Sequence, residues 1–255
     1  MTDSQWSAFV EFRESYKKLC EQWSILSEKL YPLQKTAAAE LPAYPLENAV
    51  VYNTAYDTVT KDDKIILIVI GDNPGKEEQL NANRQYLVGQ SGRIAEGFFR
   101  RNSELGIDFR KNVLILNKTP VHTAKTVHLK YLIKNGDSDV QAVIQESQIQ
   151  MARLAFQLHA GLAESVPFNA SVPQLWLVGY SELKRNGIFS GYRDELKRLY
   201  KGCRLWDSVF VYQHFSMNRF LVELHSFQSQ NENMPLKECL EKIGSRHRKE
   251  IFENS

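Results

Sequence analysis

The stretch Ile65-Ile66-Leu67-Ile68-Val69-Ile70-Gly71-Asp72-Asn73-Pro74-Gly75 decides how this chain folds. Six consecutive aliphatic residues break abruptly into a polar turn flanked by glycines. An unbroken, largely β-branched run bounded by turn residues suits a strand buried on both faces, as in a parallel sheet covered on two sides by helices. The turn then stands at the strand's carboxyl end. In open α/β sheets ligands gather along that edge, so Asp72 and Asn73 are presented where chemistry happens, although such a turn is also a common way to end a strand.

Outward from this strand the chain alternates between helical and strand patterns. Trp6, Phe9, Val10, Phe12, Tyr16, Leu19, Trp23, Leu26 and Leu30 recur at helical spacing and predict one long amphipathic helix over residues 4–35, packed on the sheet's flank. Pro42 and Pro45 open an irregular approach to the first core strand, residues 64–70. Further strands are predicted over 113–117, 174–179 and 208–212, and helices over 94–104, 139–162, 192–200, 218–227 and 235–252. Four buried strands interleaved with helices imply an α/β fold: a single domain with a central four-stranded parallel sheet, helices on both faces and right-handed crossovers. The core spans residues 50–228, with an N-terminal helical extension over 1–49 and a C-terminal basic helix over 229–255.

Composition excludes several classes. Of 255 residues, 43% are hydrophobic and 24% charged, ordinary values that point away from disorder. No apolar run approaches the roughly 18 residues needed to span a bilayer, and the first residues lack the basic start and apolar centre of a signal peptide, so a cytoplasmic protein is expected. The three cysteines, Cys20, Cys203 and Cys239, are scattered and odd in number, which leaves neither a disulfide framework nor a Cys-x-x-Cys metal site. His122 and His128 are six apart, a spacing that a helix puts on different faces, so no metal is expected there. A net charge of +2 is too small to announce a nucleic-acid partner by itself. Gly71 to Lys76 lacks the full phosphate-loop spacing, and Gly89-Gln90-Ser91-Gly92 is not a nucleophile elbow.

Three strands end in residues able to do chemistry. The first delivers Gly71-Asp72-Asn73-Pro74-Gly75, the second Asn117-Lys118-Thr119-Pro120, and the fourth Gln213-His214-Phe215-Ser216-Met217-Asn218. Parallel strands point one way, so the three turns are expected to converge on one edge of the sheet.

The segment 71–75 resembles the first motif of the uracil-DNA glycosylase superfamily, specifically the G-M-N-P-G form of the single-strand-selective monofunctional uracil-DNA glycosylases. Upstream, Val51-Tyr52-Asn53-Thr54-Ala55-Tyr56 is similar to the V-Y-N-P-x-x-Y element. Downstream, Tyr86-Leu87-Val88-Gly89-Gln90-Ser91-Gly92 looks like the P-F-V-G-x-x-G stretch of several branches. Asn117-Lys118-Thr119-Pro120 resembles N-H-C-P, and His214-Phe215-Ser216 resembles H-P-S. The likeness covers residues 50–228 in the family's order.

The resemblance implies a monofunctional hydrolase of N-glycosyl bonds that removes uracil, or a related deaminated or oxidised base, from DNA in base excision repair. It implies a monomer with no cofactor, and the three cysteines cannot supply the four that the superfamily's iron-sulfur branches use, so no cluster is expected. Cleaving such a bond needs stabilised charge on the departing base, a placed water, and a base drawn out of its stack. By the resemblance, His214 donates to the base O2 and Asn73 positions the attacking water. Asn117 reads the base edge through a carboxamide that both donates and accepts. Gly71, Asp72, Tyr86 and Leu87 stand at base-binding positions, and Gly75, Ser91, Ser216, Met217, Asn218 and Arg219 at DNA-binding ones, with Met217 as an apolar wedge.

The chain also departs from the pattern. Leu87 stands where the branches have a stacking Phe, leaving Tyr86 to stack or the pocket less discriminating. Phe215 replaces Pro. Asp72 is either a turn residue or a second carboxylate able to activate water. Lys237, Lys242, Arg246, His247, Arg248 and Lys249 form either a solvated face or a contact to the DNA backbone. The rival expectation is a member that keeps the fold and binds nucleic acid or a nucleobase without cleaving it.

Overall fold

The computed structural model describes residues 1–164, 166 and 172–253, the Met217 side chain excepted. Four parallel strands form one sheet: β1 (Leu67–Gly71), β2 (Val113–Asn117), β3 (Gln174–Val178) and β4 (Val209–Tyr212), ordered β2-β1-β3-β4. Every residue of β1, β2 and β4 is buried, as the uninterrupted apolar runs require of strands covered on both sides. A fully buried aliphatic side chain contributes about 1.5–3 kcal/mol, so each of these strands adds materially to the core.

Eight helices are present among the described residues: α1 (Asp3–Ser24), α2 (Ser27–Ala37), α3 (Gln90–Arg101), α4 (His128–Asn135), α5 (Ser138–Ala163), α6 (Ser190–Leu199), α7 (Arg219–Ser229) and α8 (Leu236–Phe252). On one face of the sheet, Trp176, Phe210 and Tyr212 meet α3 through Phe99, α7 through Phe220 and α8 at Gly244. A Cβ on Gly244 would stand 2.7 Å from Phe210 Cβ and 2.8 Å from Tyr212 Oη, so glycine lets α8 approach the edge strand β4. Elsewhere α5 packs between α1 and α6. No helix among the described residues is long and apolar enough to cross a membrane.

The sequence reading needs three corrections. The predicted helix over 4–35 is two helices, broken around Ser24–Leu26. Pro32 lies in α2, where it lacks a backbone donor and withholds one hydrogen bond from the helix. The short helix α4 was not predicted, its eight residues being too few to establish a period. The expected C-terminal helix is α8, which buries Cys239, Leu240, Ile243, Ile251 and Phe252, but its His247 and Arg248 turn inward rather than onto a solvated face. Arg248 donates to the Val209 carbonyl at 3.1 Å, and His247 Nε2 lies 2.9 Å from Glu223 Oε1. Two of the six side chains expected on a solvated face or at the DNA backbone are therefore structural.

Candidate functional site

In a 2-1-3-4 order the connection from β1 runs to β2 and that from β3 runs to β4, in opposite directions, so a crevice opens between the carboxyl ends of β1 and β3. Asp72 and Lys118 occupy this place. Asn117 is the cross-strand partner of Gly71, so the two motifs lie side by side. One residue further, Lys118 is wholly buried, and its Nζ donates to Asp72 Oδ1 at 2.6 Å, Val178 O at 2.6 Å and Gly71 O at 3.2 Å. All three ammonium protons are used, and the ends of β1, β2 and β3 are tied together. Burial draws the Lys118 pKa down, and the Asp72 carboxylate opposes this. Gly179, at φ 96°, lies against Asp72, whose carboxylate leaves no room for a Cβ there.

This pairing corrects the reading of Asp72 as a base-binding residue or a free carboxylate for water. Oδ1 is held by Lys118 and Oδ2 is 3.4 Å from Thr126 Oγ1. Asp72 is a structural anion.

Asn117 is 2% exposed, and its Nδ2 has no hydrogen-bond partner among the described residues. Its Oδ1 packs over Gly71 Cα, where any side chain would collide with it. A buried amide donor left without an acceptor costs about 1–3 kcal/mol. Asn117 Nδ2 is one of six buried side-chain atoms without a hydrogen-bond partner among the described residues, and it stands at a strand end beside the 71–75 turn.

Asn73 is half-buried at the turn. Its Nδ2 donates to Thr123 Oγ1 at 2.9 Å, with Pro74 O at 3.2 Å and Thr123 O at 3.3 Å. The Pro74 carbonyl in turn accepts from His122 Nδ1 at 2.9 Å, and Tyr44 Oη lies 2.9 Å from His122 Nε2. Because a carbonyl only accepts, Nδ1 of His122 carries the proton and Nε2 accepts from Tyr44. Burial lowers the His122 pKa to about 4, so this ring is a neutral bracket under the turn.

His214 follows β4 and is half-buried. Its Nδ1 accepts from the Ser216 backbone N–H at 3.1 Å and lies 2.8 Å from Ser216 Oγ. An accepting Nδ1 puts the ring proton of the neutral imidazole on Nε2, which has no partner among the described residues. Burial depresses the His214 pKa. The Asp72 and Lys118 charges also reach the ring, Asp72 raising its pKa and Lys118 lowering it, which ties His214 electrostatically to the β1 and β2 turns.

The loop after the first turn is held by Glu78, a residue the sequence reading passed over. Its carboxylate accepts from Gly75 N at 3.0 Å and from Leu87 N at 2.8 Å, clamping the 71–75 turn to the 86–87 segment. Burial raises its pKa to about 7. Leu87 sits at φ 52°, a left-handed conformation that costs a bulky side chain about 1–2 kcal/mol. Gly92, in the first turn of α3, leaves space for the Leu87 carbonyl that a Cβ would fill.

Tyr86 is a core residue, which corrects the stacking expectation. It is 1% exposed, and its hydroxyl donates to Val51 O at 2.6 Å and contacts Tyr16 of α1. Its polar end is committed to the Val51 carbonyl and to Tyr16 of α1. Phe215, in place of the family's Pro, is fully buried against Phe220. Among the expected DNA-binding positions, Gly75, Ser91 and Ser216 are half-buried and Asn218 and Arg219 are exposed. Asn218 adopts φ 56°, which Asn tolerates. The Met217 side chain lies outside the described part of the structure.

The structure therefore sets Gly71, Asn73 and Asn117 on adjoining strand ends, and His214 beyond the carboxyl end of β4 on the same edge of the sheet. Tyr86 is withdrawn from it. Sequence reasoning missed Lys118, Thr123, His122 and Glu78 as supports. Lys118 was quoted only as part of a motif, His122 was weighed only as a metal ligand, and Glu78 reads as one of two solvated glutamates after Lys76. Among the described residues no group of three or more His, Cys, Asp or Glu side chains is placed to hold a metal ion.

Compared with known families and curated proteins, the chain matches no family model and no curated sequence at a significant level.

Proposed function

We propose that the protein hydrolyses the N-glycosidic bond of uracil, or of a related deaminated or oxidised base, in DNA. The observation that carries this reading is the unpartnered Asn117 Nδ2, buried at a strand end beside Gly71. A donor kept dry and unused is accounted for by a ligand carbonyl that docks on it, and a pyrimidine O4 supplies one. The same carboxamide offers its oxygen to N3–H. Cytosine mismatches both contacts, at a cost of a few kcal/mol.

The other two groups supply the remaining needs. In the step proposed, the bond between the base N1 and the sugar C1′ breaks and its electron pair leaves with the base. His214 Nε2–H donates to O2 as charge develops there. Water accepted by Asn73 Oδ1 adds to C1′ and loses its proton to solvent. A neutral imidazole and an amide are weak acid and base, so the rate would come from electrostatic placement rather than proton transfer. DNA is the proposed partner, and the protein is proposed to act as a cytoplasmic monomer. The family resemblance of the motifs supports this reading.

Leu87 and the inward-turned Tyr86 favour a second reading, a nucleobase-binding protein of the same fold that does not cleave. Labelled oligonucleotides carrying uracil, hypoxanthine, xanthine or hydroxymethyluracil, in single and double strands, separate the two. Alkali-sensitive strand scission at uracil is expected. Binding of these oligonucleotides with no scission at any lesion sinks the glycosylase reading and leaves the binder.

A further inference from the structure

An asparagine amide is nearly symmetric in shape, but its two ends have opposite hydrogen-bonding character. If Asn73 is to hold a water for attack, its oxygen must face the crevice and its nitrogen must face the protein. Its neighbours decide which way it points.

Three oxygens face the Asn73 nitrogen, and each can only accept. The Pro74 and Thr123 carbonyls, at 3.2 and 3.3 Å, have no proton to give. Thr123 Oγ1, at 2.9 Å, has one, but commits it to Lys125 O at 2.9 Å and so presents lone pairs to Asn73. A flipped amide would set Oδ1 against all three. Thr123 is itself fixed: it is 2% exposed, and its N–H donates to Pro74 O at 3.2 Å. The preceding His122 donates its N–H to Ala49 O at 2.9 Å and accepts Gln34 Nε2 at 2.8 Å.

We infer that Thr123 is a positioning residue for the proposed reaction: its lone-pair face locks the Asn73 amide with Oδ1 toward the crevice, making Asn73 an acceptor for the attacking water. This rests on the glycosylase reading for its kinetic consequence and on geometry alone for the lock. Thr123 acts only through Asn73. A misdirected water costs about 10- to 100-fold in rate.

The lock is tested by NMR on full-length protein labelled with ¹⁵N at asparagine side chains. The Asn73 NH₂ protons, assigned by their loss in Asn73→Ala, are expected to exchange slowly in the wild type and in Thr123→Ser, and at least tenfold faster in Thr123→Val. Wild-type exchange as fast as that of an exposed amide overturns the inference, whether or not the Val variant folds. In turnover of a uracil oligonucleotide, Thr123→Val is expected to lower kcat 10- to 100-fold with KM within about twofold, and Thr123→Ser to restore it. In an Asn73→Ala background, Thr123→Val should bring no further loss. A Val variant with wild-type kcat, or one that slows the Asn73→Ala enzyme further, also overturns it. Protected Asn73 protons in a protein that cleaves no lesion would retain the lock and reject the glycosylase reading.

Discussion

Lys118 Nζ lies 2.6 Å from Asp72 Oδ1 in the interior, where the lysine side chain has no exposure and the aspartate almost none. Each residue directly follows a strand, and the pair also engages the Val178 and Gly71 carbonyls. It cross-links three strand ends at the level of the candidate site. Such a pair is costly to halve, because the remaining charge stays buried.

Lys118→Met is therefore expected to lose about 3–5 kcal/mol of stability in urea denaturation, and Asp72→Asn a comparable or smaller amount. Asp72→Asn with Lys118→Met should lose far less than the two single losses together, since no charge is then stranded. Additive losses would mean that the two side chains do not interact as an ion pair.

Asn117 should behave oppositely. Asn117→Ala removes a buried donor that has no partner, so stability should change by less than about 1 kcal/mol or rise, while discrimination between uracil and cytosine is lost. Gly71→Ala should reproduce the functional loss by displacing the Asn117 side chain, with a packing cost of about 1–3 kcal/mol. A drop of 2 kcal/mol or more in Asn117→Ala would mark the residue as structural.

His214 is held below its ordinary pKa, chiefly by burial. It should charge only below the ordinary histidine range, with turnover falling at more acid pH as the imidazole becomes charged. His214→Ala is expected to lower kcat about 10²- to 10³-fold with little change in thermal stability. An acid limb in the pH–rate profile with its midpoint at or above the ordinary histidine value of 6.5 would contradict a depressed pKa.

Glu78 gives a stability prediction with a definite sign. Its folded pKa of about 7 lies above the ordinary 4.5, so between these values the folded protein holds a proton that the unfolded chain has released. That contribution is lost as pH rises through the window, on the order of 3 kcal/mol at most. His122 and His159, each lowered to about 4 by burial, oppose it: their contribution is present above pH 6.5 and lost as pH falls toward 4. The wild type should therefore lose stability on acidification. Glu78→Gln should lose it more steeply on acidification, and so gain on the wild type as pH rises from 5 to 7 in urea titrations. Parallel pH profiles of the two proteins would refute the assignment.

Local pattern carried much of the fold. The aliphatic runs ending at Gly71, Asn117, Val178 and Tyr212 announced four buried strands because covering both faces of a strand demands apolar side chains throughout. Helices with long periodic faces, such as α5 and α8, were readable for the same reason, whereas α4 is too short to show a period. Tyr86 misled because the residues beside Leu87 say nothing of Tyr16, seventy positions away, with which its hydroxyl is engaged.

By itself the amino-acid order determined the sheet, the direction of its strands and the polar residues at their ends, since hydrophobic periodicity and turn chemistry act over a few neighbouring residues. Only the tertiary structure decided what those polar groups do. It spent Asp72 on Lys118, turned the Asn73 nitrogen toward Thr123, and left Nε2 of His214 and Nδ2 of Asn117 without a partner among the described residues. Hydrogen-bond saturation is a property of groups brought together from distant positions, and no local pattern encodes it.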